Sequence, residues 1–590
     1  MAELGRTRPG PPRPGPGLAA LGLAVLGLAA FFPALNAGYV ADDYTHLAAL
    51  ESPGWSILDP MPAGAGTYFR PLIMGSLALE RALASGDAAG LHHAVNLAIH
   101  LAAGLALWGM ARSAGRLAGR DPGGLFAWAL AALFLVHPAM VDDVAWIAGR
   151  QDSLVGLALL AGILGLARRA DGGTAAWLAL PAVMLPVALG AKEAGIVYAP
   201  TLVLAVFALD DLAVRGSGGA APAPETRPSW RLPAALVGVT AAWAAAVWLR
   251  YHRPVETAGG FAGPRDWAEV LVTFPVLLAA PHRQVFLIET YRAHPWILPV
   301  GLVGAAAAVG ALLWAVRRAG ALRLTLLLAG IVVLPLLPAT AAGGISARRA
   351  YAPLAALGVA LAFGAARAPR AAGRSAPVLL VLAAILVVPA AREAAAWSRA
   401  RAAANAWCAE FRRVADWPAE EPYALVTWPY AVGGVPVWSN HVGPALHHCR
   451  TGRFAGGPPF AVGVPLWLPA WPNEPAVGVR TTAPGEAVVE VRHPDVRFGP
   501  LADWRPAPGG AVKAYRTRPW GVVAVTVSWP DSLPAVAFDG AGVQRLDGTG
   551  AAAAGYSRGA RFPAPRGLAG VPAALYRHST PARDRVDRYP

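Results

Sequence analysis

Apolar residues between Gly17 and Pro389 fall into long runs that short polar loops separate. Many of these runs approach the ~20 residues that a helix needs to cross a bilayer. The runs cover residues 17–37, 91–110, 124–140, 153–167, 175–190, 194–210, 232–250, 296–316, 322–340, 352–366 and 376–391. The pattern therefore predicts a polytopic α-helical membrane protein with about 11 transmembrane helices.

The pattern changes beyond Arg392. Helical spacing with alternating charge marks residues 393–415, and short strand-like runs such as "EAVVEVRHP" follow, punctuated by glycine and proline. No 34-residue helical repeat follows the membrane part, which argues against a tetratricopeptide array. We therefore predict a disordered basic, Pro-rich N-terminus, a helical transmembrane domain, a connecting helix and a mostly-β, sandwich-like soluble domain. These occupy residues 1–16, 17–391, 392–415 and 416–590, respectively.

Arginine placement predicts the topology. Arginine-rich loops such as "RSAGRLAGR" and "RAPRAAGR" all fall on one side of the predicted spans, together with the N-terminus. The positive-inside rule makes that side cytoplasmic. The apolar run 267–281 is interpreted as a re-entrant or interfacial helix, because a further crossing would upset the count. We expect a multi-pass protein of the inner (plasma) membrane with a cytoplasmic N-terminus and an extracytoplasmic C-terminal domain.

Composition narrows the function. The chain has 590 residues, of which 56% are hydrophobic and only 14% charged, and a net charge of +15. Arginines in the short loops account for this basicity, so nucleic acid is not expected as a partner. Lysine is rare: Lys192 and Lys513 are the only two. A lysine inside the membrane region is therefore informative.

The predicted outer side collects the unusual polar residues. Asp42 and Asp43 follow the first span, and cations stand near the outer ends of other spans: Arg70, Arg150, Lys192, Arg348 and Arg349. Such cations suit a phosphate at headgroup level. Transfer of a sugar from a lipid phosphate needs a base for the acceptor hydroxyl and cations for the departing phosphate. A plainer interpretation stays open, in which the arginines anchor helices and the aspartates cap one.

The order of several motifs resembles the GT-C membrane glycosyltransferases. The similarity is greatest to bacterial relatives of the transmembrane-and-TPR-containing and protein O-mannosyltransferases. The matching pieces, in order, are "YVADDYTHL", "YFRPLIMGSLALE", "LHHAVNLAIHLAAGLALW", "LFLVHPAMVDDVAWIAGRQDSLVGL", "GAKEAGIVYAP" and "ARRAYAPLAALGVALA". They extend over roughly residues 20–366, most of the membrane part. The resemblance implies a lipid-phosphate sugar donor and an outward-facing active site, with the first-loop aspartates as the catalytic centre.

Residues carry over motif by motif. Asp42 and Asp43 match the paired acidic motif, and Arg70, Arg150, Lys192, Arg348 and Arg349 are expected to hold the donor phosphate. Supporting residues implied by the resemblance are His137, Asp142, Asp152, Glu193 and Tyr351. Two positions depart from the family pattern, which weakens the roles assigned around them. Ala347 stands where the family commonly has glutamate, and Met140 replaces a frequent histidine. The missing repeats leave the acceptor open among protein, lipid and glycan.

Metal and disulfide chemistry give weaker signals. His92, His93 and His100 lie along one apolar run, where contacts between helices explain them better than a metal site. The stretch 439–449 gathers three histidines with Cys449, at a spacing that does not define a zinc site. No metal ligands are predicted, and a Mg²⁺ or Mn²⁺ cofactor is left open. Cys408 and Cys449, the two cysteines, either pair or stay free.

The main hypothesis is a glycosyltransferase that moves a sugar, with mannose as the first candidate, from a polyprenyl-phosphate donor to an acceptor hydroxyl at the outer face. A transporter or flippase of polyprenyl-linked lipid is the alternative, but no matching halves are visible. A catalytically inactive scaffold with a binding C-terminal domain is a third. The sequence leaves open which sugar moves, the role of the C-terminal domain and the oligomeric state.

Overall fold

The computed structural model describes most of the membrane part and about half of the C-terminal part. The described residues, apart from a few single positions, are 15–59, 61–63, 66–84, 86–119, 124–216, 230–251, 322–338, 348–418, 421–433, 435–438, 442–454, 460–468, 477–491, 497–498, 511–518, 521–530, 532–538 and 543–546. Of the predicted segments, 267–281 and 296–316 lie almost wholly outside this set.

Helices dominate the membrane part. They are α1 (Pro16–Phe31), α2 (Asp42–Glu51), α3 (Pro71–Leu83), α4 (Ala89–Leu117), α5 (Gly124–Leu135), α6 (Val141–Ala145), α7 (Arg150–Ala170), α8 (Ala179–Ala191), α9 (Tyr198–Gly216), α10 (Arg231–Tyr251), α11 (Leu322–Val333), α12 (Tyr351–Arg367) and α13 (Pro369–Val414). A last helix, α14 (Val442–Thr451), belongs to the C-terminal part. In the described residues five helices are long and apolar enough to cross a membrane, or six if the bent pair α5 and α6 forms one span. The predicted polytopic helical fold is confirmed.

The helices pack closely because small residues stand where neighbours approach. A Cβ at Gly156 of α7 would lie 2.4 Å from the ring of Tyr351, and one at Gly104 would lie 2.5 Å from Leu135. Alanine contributes many of the remaining buried positions. Small side chains at helix contacts are typical of membrane proteins, where backbones can then come close together.

Two ends of the helical bundle differ in character. At one end the loops after α4, α7 and α9 meet: Arg116 pairs with Asp171, and Gly119 lies against Gly216. At the other end Ala41 donates a backbone hydrogen bond to Val437 of the C-terminal part. Three of the arginine-rich loops that were predicted to share a side, those after α4, α7 and α9, therefore do meet. The aspartate loop lies at the end that carries the C-terminal domain.

Helix α13 joins the two parts of the molecule. Its 46 residues run from Pro369 to Val414 without interruption, although Pro377 and Pro389 lie inside it. The sequence predicts a final span to 391 and a separate connecting helix over 392–415, and the structure has one helix instead. Proline removes one backbone hydrogen bond but does not by itself end a helix.

A small hairpin of β1 (Met61–Ala63) and β2 (Gly66–Tyr68) lies in the first loop, and the ten other strands of the described residues belong to the C-terminal part. They are β3 (Tyr423–Val432), β4 (Val435–Pro436), β5 (Phe460–Leu468), β6 (Val477–Ala483), β7 (Glu486–Val491), β8 (Arg497–Phe498), β9 (Ala511–Arg518), β10 (Gly521–Ser528), β11 (Ala535–Phe538) and β12 (Val543–Leu546). One sheet is antiparallel, in the order β6-β7-β10-β9. The other is mixed, in the order β12-β11-β3-β5-β8, with β4 on β3.

The mixed sheet corrects the sandwich-like prediction. Strand β3 pairs in parallel with both β5 and β11, and the chain passes through α14 on its way from β3 to β5. Parallel neighbours need such a crossover, which an antiparallel sandwich lacks. The predicted β content is present, but the described domain is a mixed α/β structure with a second, antiparallel sheet.

A disulfide fastens this domain to the long helix. Cys408 of α13 is bonded to Cys449 of α14. Of the two alternatives left by the sequence, pairing is therefore the one that holds. The bond also removes Cys449 from any zinc site in the stretch 439–449.

Candidate active site

The two aspartates lie at a tight turn that begins α2. The backbone N–H of Asp43 donates to the carbonyl of Val40 at 2.9 Å, which closes a four-residue turn. Ala41 has φ 42° and ψ −116°, and it is the one non-glycine residue with positive φ in the described part of the chain. This conformation corresponds to the first central position of a type II′ turn, where glycine is usual. Such strained residues concentrate at functional sites.

The carboxylate of Asp43 is buried, with 1% of the residue exposed. One oxygen accepts from the backbone N–H of Val40 at 3.0 Å and the other from that of Ala148 at 2.8 Å. Burial raises the pKa of Asp43 to about 8, while the two N–H donors act in the opposite direction. A carboxyl with a pKa near neutrality can exchange a proton under physiological conditions. Asp42 is half-buried beside it.

The C-terminal domain holds this turn from outside. Val437, which follows β4, accepts the N–H of Ala41 at 2.8 Å. Gly38 packs so tightly on Arg401 of α13 that a Cβ there would lie 2.8 Å from its side chain. The guanidinium of Arg401 also donates to the carbonyls of Asn36 and Ala37. The turn is therefore built from both parts of the molecule.

Residues 148–152, here called the hub segment, connect the acidic turn to the predicted cations. Within this segment Ala148 binds Asp43, while the following side chains reach Glu80, Arg70 and Lys192. Its shape requires glycine at 149, because a Cβ there would lie 2.5 Å from the carbonyl oxygen of Asp142. The turn before it is supported by the Asn96 amide, which donates to the Trp146 carbonyl at 2.8 Å.

Arg150 is completely buried, and its guanidinium is saturated. It makes a two-pronged contact with Glu80, at 2.5 and 3.0 Å. Its other N–H groups donate to Asn96 Oδ1, Ser76 Oγ and the carbonyl of His92. A guanidinium has five N–H donors, and these contacts use all of them. In this structure no donor of Arg150 is left for a phosphate.

Arg70 is also engaged within the protein. It donates to both carboxylate oxygens of Glu193, at 3.1 and 2.9 Å, and to Gln151 of the hub segment. Its guanidinium lies 4.1 Å from the centre of the Tyr68 ring. These contacts connect α3 and the first-loop hairpin to the turn that carries Lys192.

Lys192 stands at a cleft. Its Nζ lies 2.7 Å from each carboxylate oxygen of Asp152, and its side chain retains 13% exposure. Arg349 lines the same cleft, opposite apolar residues that include Val155 and Pro335. Two cations and one carboxylate therefore meet a small, otherwise apolar opening of about 40 Å³.

The other predicted residues are less central. Tyr351 is buried and its hydroxyl lies 2.9 Å from His100 Nδ1, while His100 Nε2 donates to the Leu135 carbonyl. His137 accepts the N–H of Ala139 as the cap of a short turn, and Asp142 is buried in α6. The side chain of Arg348 lies outside the described residues. His92 contacts Glu80 of α3 at 2.5 Å, so two of the three histidines of α4, His92 and His100, make contacts between helices as expected.

Sequence reasoning missed Glu80, Asn96 and Gln151. Each is a polar side chain within or beside an apolar helix, and that isolation was the signal that could have singled them out. Among the described residues no group of three or more His, Cys, Asp or Glu side chains could hold a metal ion.

Comparisons with known proteins are sparse. No protein-family model and no curated protein matches the chain. Two solved structures are similar, both of ArnT from Cupriavidus metallidurans, one bound to undecaprenyl phosphate and one in the apo state. Each is 14% identical and covers 70% of this chain; the TM-scores are 0.40 and 0.39, over 83% and 82% of the ArnT chain. The residue roles proposed for this chain rest on its own contacts.

Proposed function

We propose that this chain is an integral-membrane glycosyltransferase that moves a sugar from a polyprenyl-phosphate donor to an acceptor hydroxyl at the extracytoplasmic face. The observation that carries the proposal is the connection of a buried carboxyl, Asp43, through the hub segment to the cleft of Lys192 and Arg349. A base and a phosphate-binding cation pair are the two groups that this reaction needs. Mannose is the sugar that the motif resemblance favours.

In the proposed reaction, the acidic and the cationic side chains act on different atoms. Asp43 takes the proton of the acceptor hydroxyl as its oxygen attacks the anomeric carbon of the donor. The bond from that carbon to the phosphate oxygen breaks, and its electron pair stays on the departing polyprenyl phosphate. Lys192 and Arg349 stabilise the negative charge that develops there. Asp42 orients the acceptor hydroxyl, or serves as the base itself while Asp43 positions it.

The buried arginines act differently from the sequence prediction. Arg150 and Arg70 position the hub segment and the Lys192 turn, because all five donors of Arg150 and three donors of Arg70 are directed at protein acceptors. Asp152 and Glu193 supply the counter-charges. The cleft at Lys192 is smaller than the ~300–1,000 Å³ of ordinary ligand sites, so it has to widen to admit the donor phosphate. Because Asp152 contacts the ammonium of Lys192, the phosphate has to displace this carboxylate. Binding and opening of the cleft are therefore one event.

The placement outside the cytoplasm is supported by the disulfide. Bonds such as Cys408–Cys449 form and persist in oxidising compartments. The acidic turn contacts the same domain, so it lies on the same side of the membrane. A transporter would place its polar residues near the middle of the bilayer, between two similar halves. The described polar network lies instead at the end that meets the C-terminal domain.

The test compares Asp43→Asn and Asp42→Asn with the parent in lipid nanodiscs that contain labelled polyprenyl-phosphate mannose and a cell-envelope acceptor fraction. Loss of a general base lowers the rate by about 10²–10⁴-fold. We expect this loss for Asp43→Asn, with unchanged binding of polyprenyl phosphate. A loss confined to Asp42→Asn would move the base to Asp42. Full transfer by both variants would refute the proposed function.

A further inference from the structure

A second cleft, of about 370 Å³, lies beside the acidic turn. Tyr39 and Tyr44, which flank the turn, form one wall, and the face of α13 around Arg412 forms another. His448 and Cys449 of α14 close it. Its volume falls within the ~300–1,000 Å³ range of small-molecule sites. It is suited to a sugar unit rather than to a long peptide.

The wall on α13 is a continuous stripe. Arg401, Asn405, Cys408 and Arg412 recur at intervals of four, three and four residues, which places them on one face of the helix. The disulfide at Cys408 fixes this face against α14. The shape of the cleft is therefore set by rigid elements.

The charges in the cleft do not cancel. Asp87 accepts from the Tyr39 hydroxyl at 2.8 Å and pairs with Arg401 at 3.2 Å, so these two charges satisfy each other. Burial lowers the pKa of His448, which leaves its imidazole neutral at pH 7. Arg412 is exposed, and it makes no ion pair with any residue that the structure describes. Among the lining residues that the structure describes, one positive charge, that of Arg412, therefore has no counter-charge.

The remaining lining suits a hydroxylated ring. Tyr39 and Tyr44 present amphipathic aromatic surfaces, and the Asn405 amide offers two donors and an acceptor. A guanidinium recognises a carboxylate or phosphate by paired hydrogen bonds. A sugar that bears such an anionic group satisfies all these features together.

We infer that this cleft is the acceptor subsite and that it binds an anionic sugar through Arg412. The inference rests on the proposed function for its role, because Tyr39 and Tyr44 of the cleft lining flank the turn that carries Asp42 and Asp43. The donor phosphate belongs to the separate cleft at Lys192. Acceptor and donor would therefore approach the acidic turn through different openings.

The test measures binding directly, by saturation-transfer NMR of the full chain in phosphatidylcholine nanodiscs. The probes are methyl β-glucuronide and methyl β-glucoside, which differ only by a carboxylate in place of a hydroxymethyl group. We expect the glucuronide to bind at least about fivefold more tightly. Arg412→Gln should abolish that difference. Arg413→Gln is the matched control, since Arg413 is the next residue, pairs with Glu410 and does not line the cleft.

Equal affinity for the two probes, or equal effects of Arg412→Gln and Arg413→Gln, would overturn the inference. Binding of polyprenyl phosphate, measured on the same samples, should not change in either variant. If the glucuronide preference holds while Asp43→Asn and Asp42→Asn still transfer sugar, the binding site stands and the catalytic assignment fails. If transfer needs Asp43 but the preference is missing, only the acceptor assignment fails.

Discussion

Arg150 and Lys192 are both cations in sequence motifs that predict phosphate binding, yet their surroundings differ sharply. Arg150 is fully buried and gives every N–H to a protein acceptor. Lys192 lies at a cleft, and its ammonium group contacts the carboxylate of Asp152 there. A saturated buried cation supports structure, whereas a cation at an opening can exchange its partner for a ligand. The filled N–H donors of Arg150 and the open position of Lys192 therefore indicate a structural role for the first and a binding role for the second.

Removal of the partner of Arg150 should give the largest effect. In Glu80→Ala the buried guanidinium loses its carboxylate, and breaking such a pair costs about 3–5 kcal/mol. Thermal unfolding in detergent micelles, followed by tryptophan fluorescence, should show a large fall in the midpoint. Glu410→Ala is the control, since its exposed pair with Arg413 is worth about 0.3–0.5 kcal/mol. Similar midpoints for the two variants would place Arg150 in an open site after all.

The second prediction concerns Asp43, which contacts the hub segment at Ala148. If it is the base, only its ionised form is active, so the rate should fall about tenfold for each pH unit below about 8 and level off above it. Burial raises the pKa of Asp43 from 3.8 to about 8. The folded protein thus holds this proton over that interval and the unfolded chain does not, so this residue makes stability decrease as pH rises from about 4 to about 8. A pH-independent rate would exclude Asp43 as the base.

Replacement of Lys192 should weaken ligand binding without unfolding the protein. A hydrogen bond to a charged group is worth about 1.5–3 kcal/mol, so Lys192→Gln should bind polyprenyl phosphate about 10- to 150-fold more weakly. Lys513→Gln, at the other lysine, is the control and should bind like the parent. The measurement is a titration of nanodisc-embedded protein with polyprenyl phosphate. Unchanged affinity in Lys192→Gln would remove the difference between the two cations.

Loss of Asp152 should give the smallest effect, in the opposite direction. Asp152→Asn removes the anion that competes with the phosphate for Lys192. In Asp152→Asn a hydrogen bond from Lys192 to the neutral amide oxygen replaces the ion pair, so we expect polyprenyl phosphate to bind up to about fivefold more tightly, a change of ~1 kcal/mol. Weaker binding would show that Asp152 orients Lys192 toward the ligand instead.

The membrane part could be predicted from sequence because its signal is local. Each apolar run reports its own length, and the described helices α4, α7 and α9 coincide with predicted spans. The C-terminal part depends on pairing between distant strands. Strands β3 and β5 are parallel, and α14 connects them. In the sequence, the cluster of His447, His448 and Cys449 in this helix suggested a metal site rather than a helix.

The motifs singled out residues that the structure brings into one network, but they did not show which contacts these residues make. Motif order singled out Asp43, Arg150 and Lys192, and the structure connects all three through the hub segment. Glu80 decides the role of Arg150, yet 70 residues separate the two, and a single sequence does not reveal such a pair. The turn at Ala41 depends on Val437, which lies in another domain altogether.

The uninterrupted helix α13 has a mechanical consequence. At 1.5 Å per residue its 46 residues measure about 69 Å, more than twice the ~30 Å hydrocarbon thickness. Val381, an exposed apolar residue of the predicted final span, and Arg412, which lines the second cleft, therefore belong to one helix. A change in bilayer thickness that tilts the membrane end of this helix would therefore also strain the contacts between Arg401 and the aspartate loop at its other end.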